Sequence, residues 1–175
     1  VEERFLPMML NVTNKKILMI GAGRACREKL WSLGQVKVEI TVIAPGIHED
    51  FFGKPWIRLV QRPYQAGDLA GYAIVYVGVN NPTLEAQIRR EASEVGALVN
   101  FVDKREYSDF ISPSVIQRDH FSIFVSTFGR GPGAAKNIRK EIESNLDLNR
   151  LDEETGEFIQ NREHNKKYKK IDGEI

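Results

Sequence analysis

A lone carboxylate, two glycine-rich turns and a scatter of basic side chains are the parts of this chain that could do chemistry. Gly21-Ala22-Gly23 follows an apolar run, Ile17-Leu18-Met19-Ile20, and precedes good helix formers with Ala25, Leu30 and Leu33 available for an inner face. The run is too short for a helix and suits a fully buried strand. Strand, glycine turn and helix together point backbone N–H groups and a positive helix end at a pyrophosphate. Gly21, Ala22, Gly23, Arg24 and Ala25 are therefore candidate cofactor-binding residues. The pattern is G-x-G-x-x-C, with Cys26 where the dinucleotide fingerprint has a third glycine or alanine; cysteine is still small enough for a helix to pack near a strand. The same residues also read as a tight strand–helix turn that holds no ligand, and the stretch alone leaves both readings open.

Asp103 closes the last of the apolar strands, at the carboxyl edge where α/β sheets put their ligands. On position alone it is equally a solvated loop carboxylate or a cap. Lys104, Arg105, Arg118, Arg130, Lys136 and Arg139 could form a basic rim for a polyanionic ligand, although each by itself reads as an ordinary solvated charge. Gly129-Arg130-Gly131-Pro132-Gly133 precedes a helix and is either a second anion nest or a hinge. Ser126 and Thr127 are hydroxyl donors near it, or simple strand-end residues. The acidic residue that would grip an adenosine ribose about 20 residues after the glycines is missing, because strand two ends in Ile43-Ala44-Pro45. His48, His120 and His164 have no metal-ligand spacing, and Cys26, beside a helix start, reads as a packing residue more than a reactive thiol. There is no Ser-His-Asp elbow, Walker lysine or zinc motif, and no metal site is expected.

The elements that must position these groups alternate. Strands are predicted over Lys16–Ile20, Val38–Ile43, Ile57–Gln61, Ala73–Gly78 and Leu98–Val102. Helices are predicted from about Ala22 to Leu33, with Gly34 as C-cap, and over Thr83–Val95, ending at Gly96. Weakly helical residues run to Phe52, and Asn80-Asn81-Pro82 supplies a turn, an N-cap and a proline at the first helical position. The fold class is α/β: a Rossmann-like doubly wound parallel sheet of order 3-2-1-4-5, with its crevice above strands one and four. After Asp103 the grammar changes to a hairpin, Ser114–Gln117 and His120–Thr127, and then a helix from Ala134 to about Leu146. A hairpin and one helix are too little for a core of their own, so this segment should pack on the first domain or on a second copy. The predicted domains are 1–112 (nucleotide-binding), 113–146 (dimerisation hairpin and helix) and 147–175, a polar extension that is weakly helical or disordered.

Bulk properties bound the function. The chain has 175 residues, 42% hydrophobic and 28% charged, enough to bury a substantial core without staples. A net charge of +1 gives no electrostatic reason to expect a nucleic-acid partner. No apolar run approaches the ~20 residues that span a bilayer, so no membrane partner is expected. One cysteine excludes an internal disulfide framework and suits a reducing compartment. Val1-Glu2-Glu3-Arg4 carries no signal-peptide pattern, and the expected location is cytoplasmic.

Taken together, the stretch from Phe5 to Glu143 resembles the precorrin-2 dehydrogenase family, the N-terminal module of siroheme synthases. The resemblance runs through Leu10-Asn11-Val12, the glycine turn ending in Lys29, Val42-Ile43-Ala44-Pro45, Asn100-Phe101-Val102-Asp103, Phe110-Ile111-Ser112-Pro113 and Ser126-Thr127-Phe128-Gly129-Arg130-Gly131-Pro132, then Ala135-Lys136 with Arg139 and Glu143. It implies oxidation of precorrin-2 to sirohydrochlorin with NAD as hydride acceptor, Asp103 as the proton acceptor, and a homodimer formed through the hairpin–helix segment. Some members also insert ferrous iron and others only dehydrogenate, so the resemblance leaves ferrochelatase activity, and a part for Asp103 in handling the metal, open. It adds Ala44, Pro45, Val79, Asn80 and Asn81 to the cofactor side. It assigns Asn100, Ser126, Thr127, Gly129, Arg130 and Lys136 to the tetrapyrrole, a polycarboxylate that gives clustered cations a purpose. The chain departs from the family at Val79, where a hydroxyl residue is usual, at Glu85, where asparagine is common, and at Phe128 and Gly131. Those departures keep a second reading alive: a sensor module that binds NAD or a tetrapyrrole without turnover.

Overall fold

The computed structural model describes residues 4–35 and 38–171, with side chains as far as residue 164. Val1–Glu3 and the side chains of the basic run Lys166–Lys170 lie outside the described residues. The chain divides into two compact units, one up to Ser112 and one from Pro113 on.

The first unit is a parallel sheet of order β3-β2-β1-β4-β5, formed by β1 (Ile17–Ile20), β2 (Ile40–Ile43), β3 (Ile57–Val60), β4 (Ile74–Val77) and β5 (Leu98–Phe101). The doubly wound reading is correct in element order and topology. β1 is central, and Ile17-Leu18-Met19-Ile20 are all buried because both faces of the strand are covered. Alternate residues feed two cores. Ile17, Met19, Val42 and Tyr76 pack with Cys26, Leu30 and Leu33 of α1 (Arg24–Gln35). Leu18, Ile20, Val75, Val77 and Val99 pack with Ile88 and Ala92 of α2 (Pro82–Val95). The start of α2 follows its local chemistry. Asn81 caps it by accepting from the N–H groups of Thr83 and Leu84, and Pro82 sits where no N–H is needed. Gly96, left-handed at φ 70°, ends it.

Three expectations need correction. Gly34 does not cap α1, which runs through it to Gln35. A Cβ there would come within 3.0 Å of the Trp56 ring, so this glycine exists for close packing. β2 begins at Ile40 rather than Val38, and the weak helix toward Phe52 is a single 3-10 turn over Glu49–Phe51, capped by the His48 ring.

The second unit pairs β6 (Ser114–Gln117) antiparallel with β7 (Ser122–Val125), backed by α3 (Pro132–Asn145). A further helix, α4 (Leu148–Ile171), follows it. The described side chains buried here are few, Ile116, Ala135 and Leu148. Gly156 lets α4 accept the His120 ring, since a Cβ would lie 2.9 Å from it, and Asp152 accepts from the His120 N–H at 2.9 Å. Phe124, Phe128, Ile138 and Phe158 remain exposed within this unit.

Candidate functional site

The site is built from backbone at the carboxyl edge of the sheet. Gly21 leaves β1 at φ +100°, and a Cβ on it would stand 2.6 Å from the Gly78 carbonyl oxygen at the end of β4. Gly78 in turn faces Cys26, where an added Cβ would meet Sγ at 2.2 Å. Gly21, Gly78 and Cys26 thus form a three-part contact that draws the start of α1 down onto β1 and β4. Cys26 does the work of the missing third glycine by filling the gap with its own sulfur. Burial pushes its thiol up to about 12, eased by the charge of Lys29 and reinforced by that of Asp103. That is a packing residue, not a nucleophile.

Gly23 behaves differently. A Cβ there would meet nothing within 4 Å, and its backbone is not left-handed. Among the described residues no contact requires a glycine at that point. The open space beside the first turn of α1 fits a group brought from outside. That turn holds no acidic residue of its own, and Arg24 stands exposed on it, which favours an anion at the positive helix end. The loop after β2 closes over the other side: His48 donates its N–H to the Ala22 carbonyl at 3.3 Å, and Arg27 pairs with Asp50 at 3.1 Å. Ala44 is buried and Pro45 exposed at the strand end. Val79 is half-buried and Asn80 exposed, while the Asn81 side-chain oxygen is taken up by capping α2.

Asp103 ends β5 on this same edge. It is exposed, sits in the left-handed region at φ 65°, and has no hydrogen-bond or ion-pair partner among the described residues. Such a conformation costs a non-glycine residue about 1–2 kcal/mol, less for aspartate than for most. The surrounding loop maintains it. Lys104 N–H donates to the Phe101 carbonyl at 3.1 Å, closing a turn with Asp103 in its third position. The Ser108 hydroxyl bonds Lys104 O at 2.9 Å and accepts from Phe101 N–H at 2.9 Å. Asn100 is buried beneath it, with Nδ2 donating to the Phe110 carbonyl at 2.8 Å and Oδ1 without a partner.

The topology therefore brings Gly21–Ala25, Ala44, Pro45, Val79–Asn81 and Asp103 to one edge, because consecutive parallel strands all end there. The remaining candidates belong to the second unit. Ser126 accepts from Phe128 N–H at 3.0 Å, and Thr127 Oγ1 both donates to Gly131 O at 2.9 Å and accepts from Gly131 N–H at 3.2 Å. Gly129 is left-handed at φ 73°, and Arg130 and Lys136 are exposed. Missed from sequence were the ion pair between Lys104 and Glu85, with Nζ 2.7 and 2.6 Å from the two carboxylate oxygens, and the Ser108 clasp. The only signal for the first was a glutamate at a position where the family commonly has asparagine. Among the described residues no group of acidic, histidine or cysteine side chains could hold a metal, and no helix is long and apolar enough to cross a membrane.

A family model for NAD(P)-binding domains matches residues 8–114, most of the chain and all of the edge just described. The chain belongs to this NAD(P)-binding family. Its similarity to siroheme synthases extends further. It is 30% identical over 144 residues to Siroheme synthase 2 of Aeromonas salmonicida (strain A449), covering 81% of this chain and 30% of that one. It is 29% identical over 144 residues to the siroheme synthase of Nitrosococcus oceani, covering 81% and 31%. The chain thus spans less than a third of the length of these curated relatives. Among solved structures, "SirC, precorrin-2 dehydrogenase" shares the fold at a TM-score of 0.67 and 23% identity, covering 82% of this chain and 72% of that one.

Proposed function

We propose that this chain oxidises precorrin-2 to sirohydrochlorin with NAD, as the dehydrogenase module of siroheme synthesis, and that it works as a homodimer. The observation that carries the proposal is the shared edge: a built nucleotide-binding turn and an unpartnered carboxylate at the ends of β1 and β5. The backbone of Gly21–Ala25 and the start of α1 would hold the pyrophosphate, with the space beside Gly23 left open for it. With Ala44 buried and only the apolar Pro45 exposed at the end of β2, the ribose would rely on backbone and loop groups rather than a carboxylate. Val79 and Asn80 line the approach to β4. NAD, when bound, supplies the acceptor for the hydride.

Dehydrogenation removes a hydride and a proton from the substrate. Asp103, exposed and uncommitted, would take the proton while Lys104 and Ser108 hold its turn. The exposed cations Arg130 and Lys136 support a polycarboxylate substrate, whereas Asn100, buried with its amide N–H on the Phe110 carbonyl, would act from beneath the edge rather than on the ligand's carboxylates. The hydroxyl of Thr127 is taken up by the loop itself, so its part is to shape Thr127–Gly131 rather than to bind directly. The exposed Phe124, Phe128, Ile138 and Phe158 of a unit with so small a core support pairing with a second copy. The single cysteine, buried and unreactive, suits the reducing cytoplasm.

The test is anaerobic turnover of enzymatically generated precorrin-2 with NAD, followed by absorbance, with ferrous iron added afterwards. NADH and sirohydrochlorin appearing together establish the dehydrogenase, and the iron step decides whether a chelatase is present. NAD binding by calorimetry without any oxidation would favour the sensor reading.

A further inference from the structure

We propose that the Glu85–Lys104 ion pair is the positioning device for Asp103, a role that rests on Asp103 being the proton acceptor of the reaction above. Asp103 is exposed, and no side-chain contact of its own fixes where its carboxylate points. Its orientation must come from the turn Phe101–Lys104, whose third residue is left-handed at φ 65°. A turn holding a non-glycine residue in that region persists only when both of its ends are anchored.

The upstream anchor is the sheet, where Val102 N–H donates to the Val77 carbonyl at 2.8 Å. Downstream, the Ser108 hydroxyl holds the backbone at the Lys104 carbonyl at 2.9 Å, and the link to the body of the fold is the side chain of Lys104. Its ammonium reaches across to α2 and contacts both carboxylate oxygens of Glu85 at 2.7 and 2.6 Å. Glu85 is a firm post. It is 7% exposed, lies in the first turn of α2, and donates its N–H to Asn81 O at 2.9 Å. Asn81 itself caps that helix, and Ile88 and Ala92 seat it in the core. A carboxylate buried this far needs a cation, and the one provided is the immediate neighbour of Asp103. The pair has a second consequence. A lysine committed to both oxygens of Glu85 is held away from Asp103, whose carboxylate stays free of an ion-pair partner.

The experiment is steady-state kinetics on Glu85→Gln, Lys104→Met, the double variant and Lys104→Arg, in the full chain, with melting temperatures and NAD calorimetry recorded for each. Each of the first two should lower kcat about tenfold with the NAD Kd unchanged, because a misplacement of about 1 Å at a reacting group costs that much or more. The double variant should be no slower than the worse single, since both break one device. Lys104→Arg, which can still grip both oxygens, should retain most of kcat. The double variant buries no unpaired charge, so it keeps the test open even where Lys104→Met folds poorly. Lowered melting temperatures with kcat intact, or losses that multiply in the double variant, would overturn the proposal. If the wild type itself fails to oxidise precorrin-2, the crystal structure of the double variant still decides: Asp103 leaving the left-handed region supports the positioning role, and Asp103 unmoved at φ near 65° ends it.

Discussion

Two turns in this molecule look alike as strings and differ as structures. Gly21-Ala22-Gly23 and Gly129-Arg130-Gly131 each follow a strand and open a helix. The first is demanded by packing at its leading glycine, with Gly21 against Gly78 and Gly78 against Cys26 closer than any side chain could stand. The second is held by a side chain. Thr127 Oγ1 bonds Gly131 at both its carbonyl and its N–H, and a Cβ on Gly131 would meet nothing closer than 3.6 Å. A glycine motif in the middle of a parallel sheet is a steric necessity; one after a hairpin is a loop whose shape rests on one hydroxyl.

That contrast breaks most sharply at Gly78. Gly78→Ala drives a methyl into Sγ, and the loss of stability should be about 3 kcal/mol by denaturant titration. Adding Cys26→Ala should recover most of it, because the nearest remaining atoms are Cys26 Cβ at 3.7 Å and its N at 3.8 Å. Failure of the second change to rescue the first would mean the sulfur is not what Gly78 accommodates.

The same packing predicts how Cys26 titrates. Its folded pKa of about 12 lies above the ordinary thiol value, so it contributes stability that is fully present below about pH 9. That contribution is lost as pH rises toward 12, and Cys26→Ala should flatten this part of the stability–pH curve. At neutral pH, alkylation of Cys26 should proceed only as fast as the unit opens.

In the second turn the effects are smaller. Thr127→Val removes both clasping hydrogen bonds and should cost about 1–2 kcal/mol, with Thr127→Ser nearly neutral. Gly133→Ala, in the first turn of α3 with nothing within 4 Å of the new methyl, should stabilise by a few tenths to ~1 kcal/mol. A destabilised Gly133→Ala would show that this loop, like the first, is packed against something.

Much of the fold was legible because local chemistry and burial agree. Apolar runs such as Ile17–Ile20 and Ile74–Val77 can only be interior strands, and Asn81-Pro82 and Gly96 mark the ends of α2 by their own preferences. Strands alternating with helices then dictate the sheet order, and the order brings the glycine turn and Asp103 to one edge. What was not legible depends on contacts distant in sequence. Gly34 reads as a helix stop until Trp56 is seen against it. Nothing periodic links Glu85 to Lys104, nor Ser108 to the turn it clasps. The resemblance assigns Asn100 to the tetrapyrrole, and nothing in its sequence neighbourhood announces that its amide is buried and tethers Phe110. The polar stretch after Asp147 has no apolar stripe, so the sequence leaves it between a weak helix and disorder; it forms the helix α4.

The most direct test of the central claim is single-turnover oxidation of precorrin-2 by wild type and Asp103→Asn, each with NAD binding measured on the same preparation. Equal NAD affinity with oxidation slowed about 10²–10³-fold in the variant is the predicted result. Oxidation at the wild-type rate in Asp103→Asn would contradict it, and the proton acceptor would have to be sought elsewhere.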